Sequence, residues 1–243
     1  MKKLLAMSVL LSSLSMGDII GGEINLGFYS HSPSGTATYD GDTVDVEKDL
    51  KWEDEGDIFV KAYLEHPLPL LPNIKVGYTN FSHEGSGTIN ESFRWGGEIF
   101  SVNDRLDTSF EMDMYDFTLY YEILDNWLNA DVGLNVKYLD GTIDVSSTLQ
   151  DESTDFSLPI PMIYAKARVD IPTTDLSFQA EGNYVTYDGH TLYDLEVGAR
   201  YEFMLGVGVE AGYKTLHLTI DDIDDTSLDT DFSGAYGKLV WDF

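Results

Sequence analysis

The sequence predicts an all-β protein that closes into a single antiparallel transmembrane β-barrel of about ten strands, with eight strands as the alternative. Three observations predict this fold. Apolar and polar residues alternate along ten segments, the apolar positions carry no charge, and the connections between segments alternate between short and long. Alternation with a period of two is typical of a strand with two different faces.

The composition excludes several classes of protein. The chain has 243 residues, with 14 Lys and Arg against 43 Asp and Glu, a formal net charge of −29 and no cysteine. These values exclude a disulfide-stapled mini-protein, a cysteine-ligated metal site and a basic nucleic-acid-binding surface. Aromatic residues make up 13% of the chain, which is too high for a disordered acidic protein.

The N-terminus resembles a secretory signal. Two lysines precede the apolar run from Leu4 to Leu14, and the small residues Ser15 and Gly17 follow it. The apolar run is too short to span a membrane. We therefore expect residues 1–17 to be a signal peptide and residues 18–243 to form the barrel.

The ten segments place apolar side chains on what we expect to be the outer face. In the first five these are Ile24, Leu26, Phe28; Ile58, Val60, Ala62, Leu64; Ile74, Val76, Tyr78; Tyr115, Phe117, Leu119, Tyr121, Ile123; and Leu128, Ala130, Val132, Leu134, Val136, Tyr138. In the last five they are Ile163, Ala165, Ala167, Val169, Ile171; Leu176, Phe178, Ala180, Gly182, Tyr184; Leu195, Val197, Ala199, Tyr201, Phe203; Val207, Val209, Ala211, Tyr213; and Ala235, Gly237, Leu239, Trp241, Phe243.

The interleaved positions are charged and should face the lumen. They include Lys61, Lys75, Asp116, Glu122, Asp131, Lys137, Lys166, Arg168, Glu181, Glu196, Arg200, Glu210, Lys214 and Lys238. Because an unpaired buried charge costs several kcal/mol, we expect acids and bases to pair across a narrow interior. Such an interior is either a selective path for ions or solutes or a plugged, salt-bridged core.

The connections distinguish a membrane barrel from a soluble sandwich with the same alternation. Connections after even-numbered segments are short, as at residues 125–126 and 204–206. Those after most odd-numbered segments are long and polar, at residues 32–57, 83–109, 141–155 and 221–231. Short periplasmic turns and long extracellular loops are typical of barrels in the bacterial outer membrane. We therefore expect that location, with both termini periplasmic.

Three motifs resemble those of a known family. They are Gly21-Gly22-Glu23 before the first strand, the turn EHPLPLLPN at residues 65–73, and Trp241-Asp242-Phe243 at the end. With these the chain resembles small outer-membrane barrels related to the OmpW type, in a subgroup with Gly-Gly near the mature N-terminus. The resemblance implies transport of small hydrophobic molecules. The terminal Phe243 is similar to the sorting signal that the barrel-assembly machinery recognises.

Two prolines indicate a weak point in the barrel wall. Pro159 and Pro161 open the sixth strand, and proline cannot donate a hydrogen bond to a neighbouring strand. The wall should therefore be unpaired near its outer rim, beside Met162. One hypothesis is that an apolar molecule leaves sideways into lipid through this gap, and the alternative is a simple kink where the strand begins.

The acidic surplus indicates cations as partners. Most carboxylates outside the strands fall at the outer rim, and hard divalent cations prefer oxygen ligands. The densest run predicts a weak divalent-cation site at Asp221, Asp222, Asp224 and Asp225. A solvated acidic loop is the alternative, because the run lacks the spacing of an EF-hand. No other cofactor is expected.

Catalysis is the remaining class to consider, because omptin-type proteases are ten-stranded barrels that use Asp and His at the outer rim. His83, His190 and His217 lie on the loop side, but no spacing singles out one pair of residues. We therefore expect no enzymatic activity.

Two functions remain. The first is passive passage of a small solute, including a hydrophobic one, through the charged lumen or the lateral gap. The second is a non-transporting surface protein that stabilises the outer membrane through acidic loops bridged by cations. Outer-membrane lipid and lipopolysaccharide would be its partners, and nucleic acid would not.

Overall fold

The computed structural model describes residues 21–68, 70–223 and 226–243, and the proposed signal peptide lies outside this range. The strands are β1 (Gly21–Tyr39), β2 (Thr43–Asp45), β3 (Glu55–Glu65), β4 (Asn73–Thr88), β5 (Phe93–Trp95), β6 (Glu98–Phe100), β7 (Arg105–Leu124), β8 (Leu128–Ser146), β9 (Asp151–Asp170), β10 (Leu176–Tyr187), β11 (His190–Met204), β12 (Val207–Ile223) and β13 (Thr226–Asp242). No helix in these ranges is long and apolar enough to cross a membrane.

Within the described residues, ten of these strands form a closed antiparallel barrel. Each wall strand pairs with the next along the chain, and β1 closes the sheet on β13 from Glu23–Asp242 to Tyr39–Thr226. The three short strands lie outside this wall order: β2 pairs with β1, and β5 pairs with β6. The predicted ten-stranded barrel is confirmed, and its closure leaves no open sheet edge along the band that would face lipid.

The outer face of the wall is apolar and the inner face is charged, which is the reverse of a soluble protein. Outward-facing Leu134 and Ile163 are 69% and 64% exposed, whereas inward-facing Lys75 and Lys137 are each 2% exposed. Tyrosines border this apolar band at the loop end, where the Tyr138 ring lies 6.3 Å from that of Tyr115. An apolar outer band with aromatic borders is the pattern that a surrounding bilayer requires.

Two of the four loops predicted to be long are mostly strand. β8 continues to Ser146 and β9 begins at Asp151, while β12 and β13 are separated only by residues 224–225. Above the apolar band these strands remain paired, and their outward-facing residues there are polar. The two connections at residues 40–54 and 89–104 are true loops and contain the short strands β2, β5 and β6.

One hairpin is much shorter than its neighbours. Asp188 and Gly189 have φ angles of 50° and 88°, as a two-residue type I′ turn requires, and they end β10 at Tyr187. The adjacent strand β9 begins far above this level, at Asp151. The wall is therefore lower at β10 and β11 than on either side.

Candidate functional site

The lower half of the barrel interior is filled by paired charges. Glu181 is 3% exposed and accepts hydrogen bonds from Lys61 Nζ at 2.9 Å, Lys75 Nζ at 2.6 Å and the Tyr63 hydroxyl at 2.6 Å. These partners come from β3 and β4, across the lumen from Glu181 on β10. The carboxylate thus ties opposite sides of the wall together.

A second group of charges surrounds Arg200, which is 1% exposed. Its Nη1 and Nη2 atoms donate to the two carboxylate oxygens of Glu23 at 2.8 and 3.0 Å, and Nε donates to Glu210 at 3.0 Å. Lys238 Nζ lies 2.5 Å from Glu196 and 2.9 Å from Glu210. The Arg200 guanidinium therefore binds the Glu23 carboxylate through two parallel hydrogen bonds, the bidentate geometry of strong ion pairs.

A third group of charges joins β7, β8 and β11. Lys137 Nζ contacts Asp116 Oδ1 at 2.7 Å and Asp194 Oδ2 at 2.9 Å. The structure thus brings most of the predicted lumen residues into one charged layer. Glu122, Asp131, Lys166 and Arg168 instead line a cavity at the end of the barrel with the short turns. There Arg168 pairs with Asp170 on its own strand at 2.7 Å.

The end of the barrel with the short turns contains a cavity of about 490 Å³ next to the charged layer. It is lined by Gly21, Gly22, Glu23, Glu65, Glu122, Asp125, Asn129, Asp131, Lys166, Arg168, Asp242 and Phe243. Backbone hydrogen bonds of 2.9 Å in both directions fix Phe243 against Gly22 at its edge. This cavity is therefore a polar vestibule beside the charged layer.

The upper half of the interior is an apolar plug. Phe232 lies at its centre, with ring centroids at 5.6 Å from Phe81, 5.7 Å from Phe110 and 5.2 Å from His83. Further buried members are Tyr29, Phe59, Met112, Met114, Leu139, Ile143, Met162, Leu192, Leu216 and Leu218. These rings and aliphatic side chains pack against one another across the upper interior.

The expectation of a charged lumen missed this plug, although the sequence contains a signal for it. In β7 the apolar residues sit at odd positions from Tyr115 to Tyr121, but at even positions from Leu106 to Met114. Successive side chains of a strand point to opposite faces, so the change of phase moves the apolar residues from the outside to the inside. This change of phase marks where the wall leaves the apolar outer band.

Two loops cover the plug. Trp52 from the first loop stacks over His83 at 6.0 Å and Phe110 at 4.9 Å, and Trp95 from the second is fully buried. His83 lies above the apolar band, between polar outward neighbours, and donates from Nδ1 to the Glu53 carbonyl at 2.8 Å. Burial lowers the pKa of His83 to about 4, so the ring is neutral in this closed cap.

The wall has a notch beside the short hairpin. The β9–β10 ladder ends at the pair Ile163–Tyr184, whereas β9 stays paired with β8 up to Asp151. The notch contains an apolar cavity of about 280 Å³ lined by Leu158, Pro159, Ile160, Pro161, Val185, Tyr187, His190, Thr191, Leu192, Leu218, Thr219 and Ile220. Met162 is 2% exposed and belongs to the plug, because its side chain points inward; it does not line this cavity, and a gap beside it stays a prediction.

The histidines on the loop side have different surroundings. His31 is buried and its Nε2 lies 2.9 Å from Asp57 Oδ2. His190 accepts a hydrogen bond from a backbone N–H in the notch. On the outer face of the wall, His217 Nδ1 lies 2.9 Å from Asp231 Oδ1, a pairing that sequence spacing did not single out.

The predicted cation site falls largely outside the described residues. Asp224, Asp225 and the side chain of Asp222 lie outside the part of the chain that the structure describes. Asp221 donates its backbone N–H to His190 Nδ1 at 3.1 Å. Among the described residues, no group of three or more His, Cys, Asp or Glu side chains is arranged to hold a metal ion. Cation binding there stays a prediction.

The chain is similar to solved structures of outer-membrane proteins. The outer membrane protease OmpT from Escherichia coli is 12% identical, covers 94% of this chain and 98% of its own, and has a TM-score of 0.56. The translocator domain of the autotransporter NalP from Neisseria meningitidis is 11% identical, covers 99% and 94%, and has a TM-score of 0.43. No family model and no curated protein matches. The chain thus has the fold of outer-membrane β-barrels, and the resemblance to the OmpW type stays a prediction.

Proposed function

We propose that this protein is a non-conducting barrel of the bacterial outer membrane that acts at the cell surface. The apolar band and its tyrosine border support the location, and the likeness to a solved outer-membrane barrel supports the fold. Gly21, the first described residue, and Phe243 lie at the end of the barrel with the short turns, which in this proposal faces the periplasm. In the same proposal, the last strand and Phe243 are what the barrel-assembly machinery recognises.

The observation that carries this proposal is that two different closures lie in series. A polar solute that passed the ion pairs would meet the apolar plug, and an apolar solute that entered the plug would meet the charges. Opening the lower closure means breaking buried ion pairs, at about 3–5 kcal/mol each. An ordinary diffusing solute has no source for that energy.

Conductance across a planar lipid bilayer tests the closed interior. We expect the refolded protein to insert without discrete current steps, and liposomes that contain it to retain small sugars. A general porin reconstituted in the same way shows that the assay detects an open pore. Reproducible steps from protein whose fold is verified by circular dichroism would contradict the proposal.

A surface role agrees with the carboxylates at the outer rim. A shallow depression of about 400 Å³ on this rim includes Glu53, Glu55, Glu84, Asp107 and Asp144. In this proposal, divalent cations link such carboxylates to the phosphates of lipopolysaccharide. Magnesium should then raise the unfolding temperature in lipopolysaccharide bilayers, and changing these five residues to Gln or Asn should abolish the rise. An equal rise in phosphatidylcholine bilayers would contradict the link.

The notch favours a second candidate, the lateral movement of an apolar solute. Its cavity connects the outer face to buried Leu192 and Leu218 without crossing the charged layer. Ile160→Trp should fill the cavity and slow uptake of an apolar fluorescent probe into cells, and Ile163→Trp on the outward face below it is the matched control. Equal uptake in both variants and the parent would exclude this path.

A further inference from the structure

Three side chains on the outer face of the wall form a chain of hydrogen bonds. His217 Nδ1 lies 2.9 Å from Asp231 Oδ1, and His217 Nε2 lies 2.9 Å from Thr219 Oγ1. His217 and Thr219 share a face because they are two residues apart on β12, and Asp231 is the direct partner of His217 on β13. The Tyr193 ring stacks on the imidazole at 4.9 Å and limits its rotation.

The two contacts of the ring define its hydrogen-bonding state. A carboxylate only accepts, so Nδ1 carries the hydrogen and donates to Asp231, which leaves Nε2 to accept from the Thr219 hydroxyl. This is the order of carboxylate, base and nucleophile that activates a hydroxyl for attack on an ester. The His217 and Asp231 side chains are 19% and 42% exposed, so the group is reachable from outside the barrel.

The group lies at the outer end of the apolar band: on β12 the outward-facing Tyr213 is exposed, and the outward positions after it are the polar residues Thr215, His217 and Thr219. The strand registers place Ile163, Tyr184, Tyr193, His217 and Asp231 in one row of direct partners. Ile163 and Tyr184 are exposed to the membrane at one end of this row. Tyrosines prefer the membrane interface, which is also where the acyl esters of lipids lie. A lipid in the outer leaflet would therefore present its ester at the height of Thr219.

The neighbouring residues suit a phospholipid. Thr219 and Thr191 both line the apolar notch cavity of about 280 Å³, which can receive an acyl chain. Thr191 is the direct strand partner of Thr219, and such partners have Cβ atoms about 5 Å apart. The Thr191 hydroxyl lies 3.0 Å from Thr186 Oγ1, and when it accepts from Thr186 its own hydrogen can be donated to an ester oxygen. Asp229 pairs with Thr219 on the other side and is exposed, which favours a headgroup that carries an ammonium.

We propose that Asp231, His217 and Thr219 hydrolyse an acyl ester of a zwitterionic phospholipid. Thr219 Oγ1 attacks the ester carbonyl carbon while its proton moves to His217 Nε2, and Asp231 stabilises the imidazolium. The bond to the lysophospholipid oxygen then breaks, and that oxygen takes the proton. Water attacks the acyl-threonine by the same route, which releases a fatty acid and restores Thr219.

This inference rests on the proposed outer-membrane location but not on the closed lumen. The conductance experiment tests the lumen, and lipid hydrolysis in detergent micelles tests the site. A conducting barrel that cleaves lipid would contradict only the first proposal. A silent barrel that does not cleave lipid would contradict only the second.

The experiment measures fatty acid released from 1-palmitoyl-2-oleoyl-phosphatidylethanolamine in mixed micelles with refolded protein. We expect release by the parent, and a loss of about 100-fold or more in Thr219→Val and His217→Gln, because general-base activation contributes 10²–10⁴-fold. Thr219→Ser keeps a nucleophile and should retain release. Thr215→Val is the matched control, because Thr215 also bonds a hydroxyl, Ser233 Oγ at 2.7 Å, on the same face of β12.

Covalent labelling keeps the test decisive if a variant fails to fold. A fluorophosphonate should form an adduct that mass spectrometry maps to residue 219 in the parent and in Thr219→Ser. No release from folded parent protein, or equal release from Thr219→Val, would overturn the proposal. Release from lipid A with none from phosphatidylethanolamine would overturn the assignment of a zwitterionic substrate.

Discussion

The two halves of the interior are enclosed by the same strands but are held together differently. The lower half depends on discrete partners, such as the three donors that meet at Glu181. The upper half depends on packed volume, with four other rings packed around Phe232. Buried charges tolerate no loss of a partner, whereas apolar cores accept a substitution that conserves volume. The stability of the lower half should therefore depend on keeping each charged partner, and that of the upper half on keeping the side-chain volume.

The largest effect should follow from removing a charge in the lower half. Arg200→Leu leaves Glu23 and Glu210 without the guanidinium that they share, which should lower the free energy of unfolding by about 3–5 kcal/mol. Urea unfolding of the protein in lipid vesicles measures this. Adding Glu23→Gln and Glu210→Gln should recover part of the loss, and no recovery would show that packing matters more than charge.

A smaller effect is expected in the upper half, and it should depend on volume. Phe232→Ala should cost about 3 kcal/mol, because it opens a cavity between stacked rings, whereas Phe232→Leu should cost less than about 1.5 kcal/mol. The same unfolding assay compares them. Equal losses for Ala and Leu would remove the proposed distinction between the two halves.

Acid should destabilise the upper half through His83. Its folded-state pKa of about 4 lies below the unfolded value of 6.5, so the unfolded chain binds the proton first as the pH falls. The free energy of unfolding is therefore highest above pH 6.5 and falls as the pH approaches 4. Between pH 7 and 4.5 the loss from His83 should reach about 2 kcal/mol. His31 lowers this pKa further, while Asp57 and Asp54 oppose the shift.

His83→Asn is the matched variant for this test, because its amide can donate to the Glu53 carbonyl in place of Nδ1 but does not titrate. Unfolding measured at several pH values should give a flatter profile for the variant than for the parent between pH 7 and 4.5. Parallel profiles would show that other groups cause the acid sensitivity.

The smallest effect concerns the loop that covers the plug. Asp45 accepts from the backbone N–H groups of Glu47 at 3.1 Å and Lys48 at 2.9 Å, which shapes the turn that places Leu50 over the plug. Asp45→Ala should cost about 1 kcal/mol. Protease cleavage of the loop should accelerate while the barrel stays intact, and cleavage at the parent rate would contradict this role.

The sequence predicts the lipid-facing surface better than it predicts the interior. Alternation identified outward residues such as Leu134, because the membrane imposes one rule along the whole band. It also identified Glu181 and Arg200 as inward-facing, but not their partners, since pairing across a lumen depends on strand tilt and register. The plug was missed because its alternation has the opposite phase. The His217–Asp231 contact was missed because only the hairpin register brings the two residues together.

The seam between β1 and β13 has a consequence for assembly. Its contacts, from Glu23–Asp242 to Tyr39–Thr226, join residues that lie nearly the whole described chain apart. Folding slows as the average sequence distance between touching residues grows. Until this seam forms, both strands have unpaired backbone N–H and C=O groups, which are costly in hydrocarbon. Because of this cost, we expect the barrel to close in one concerted event and not by adding strands one at a time.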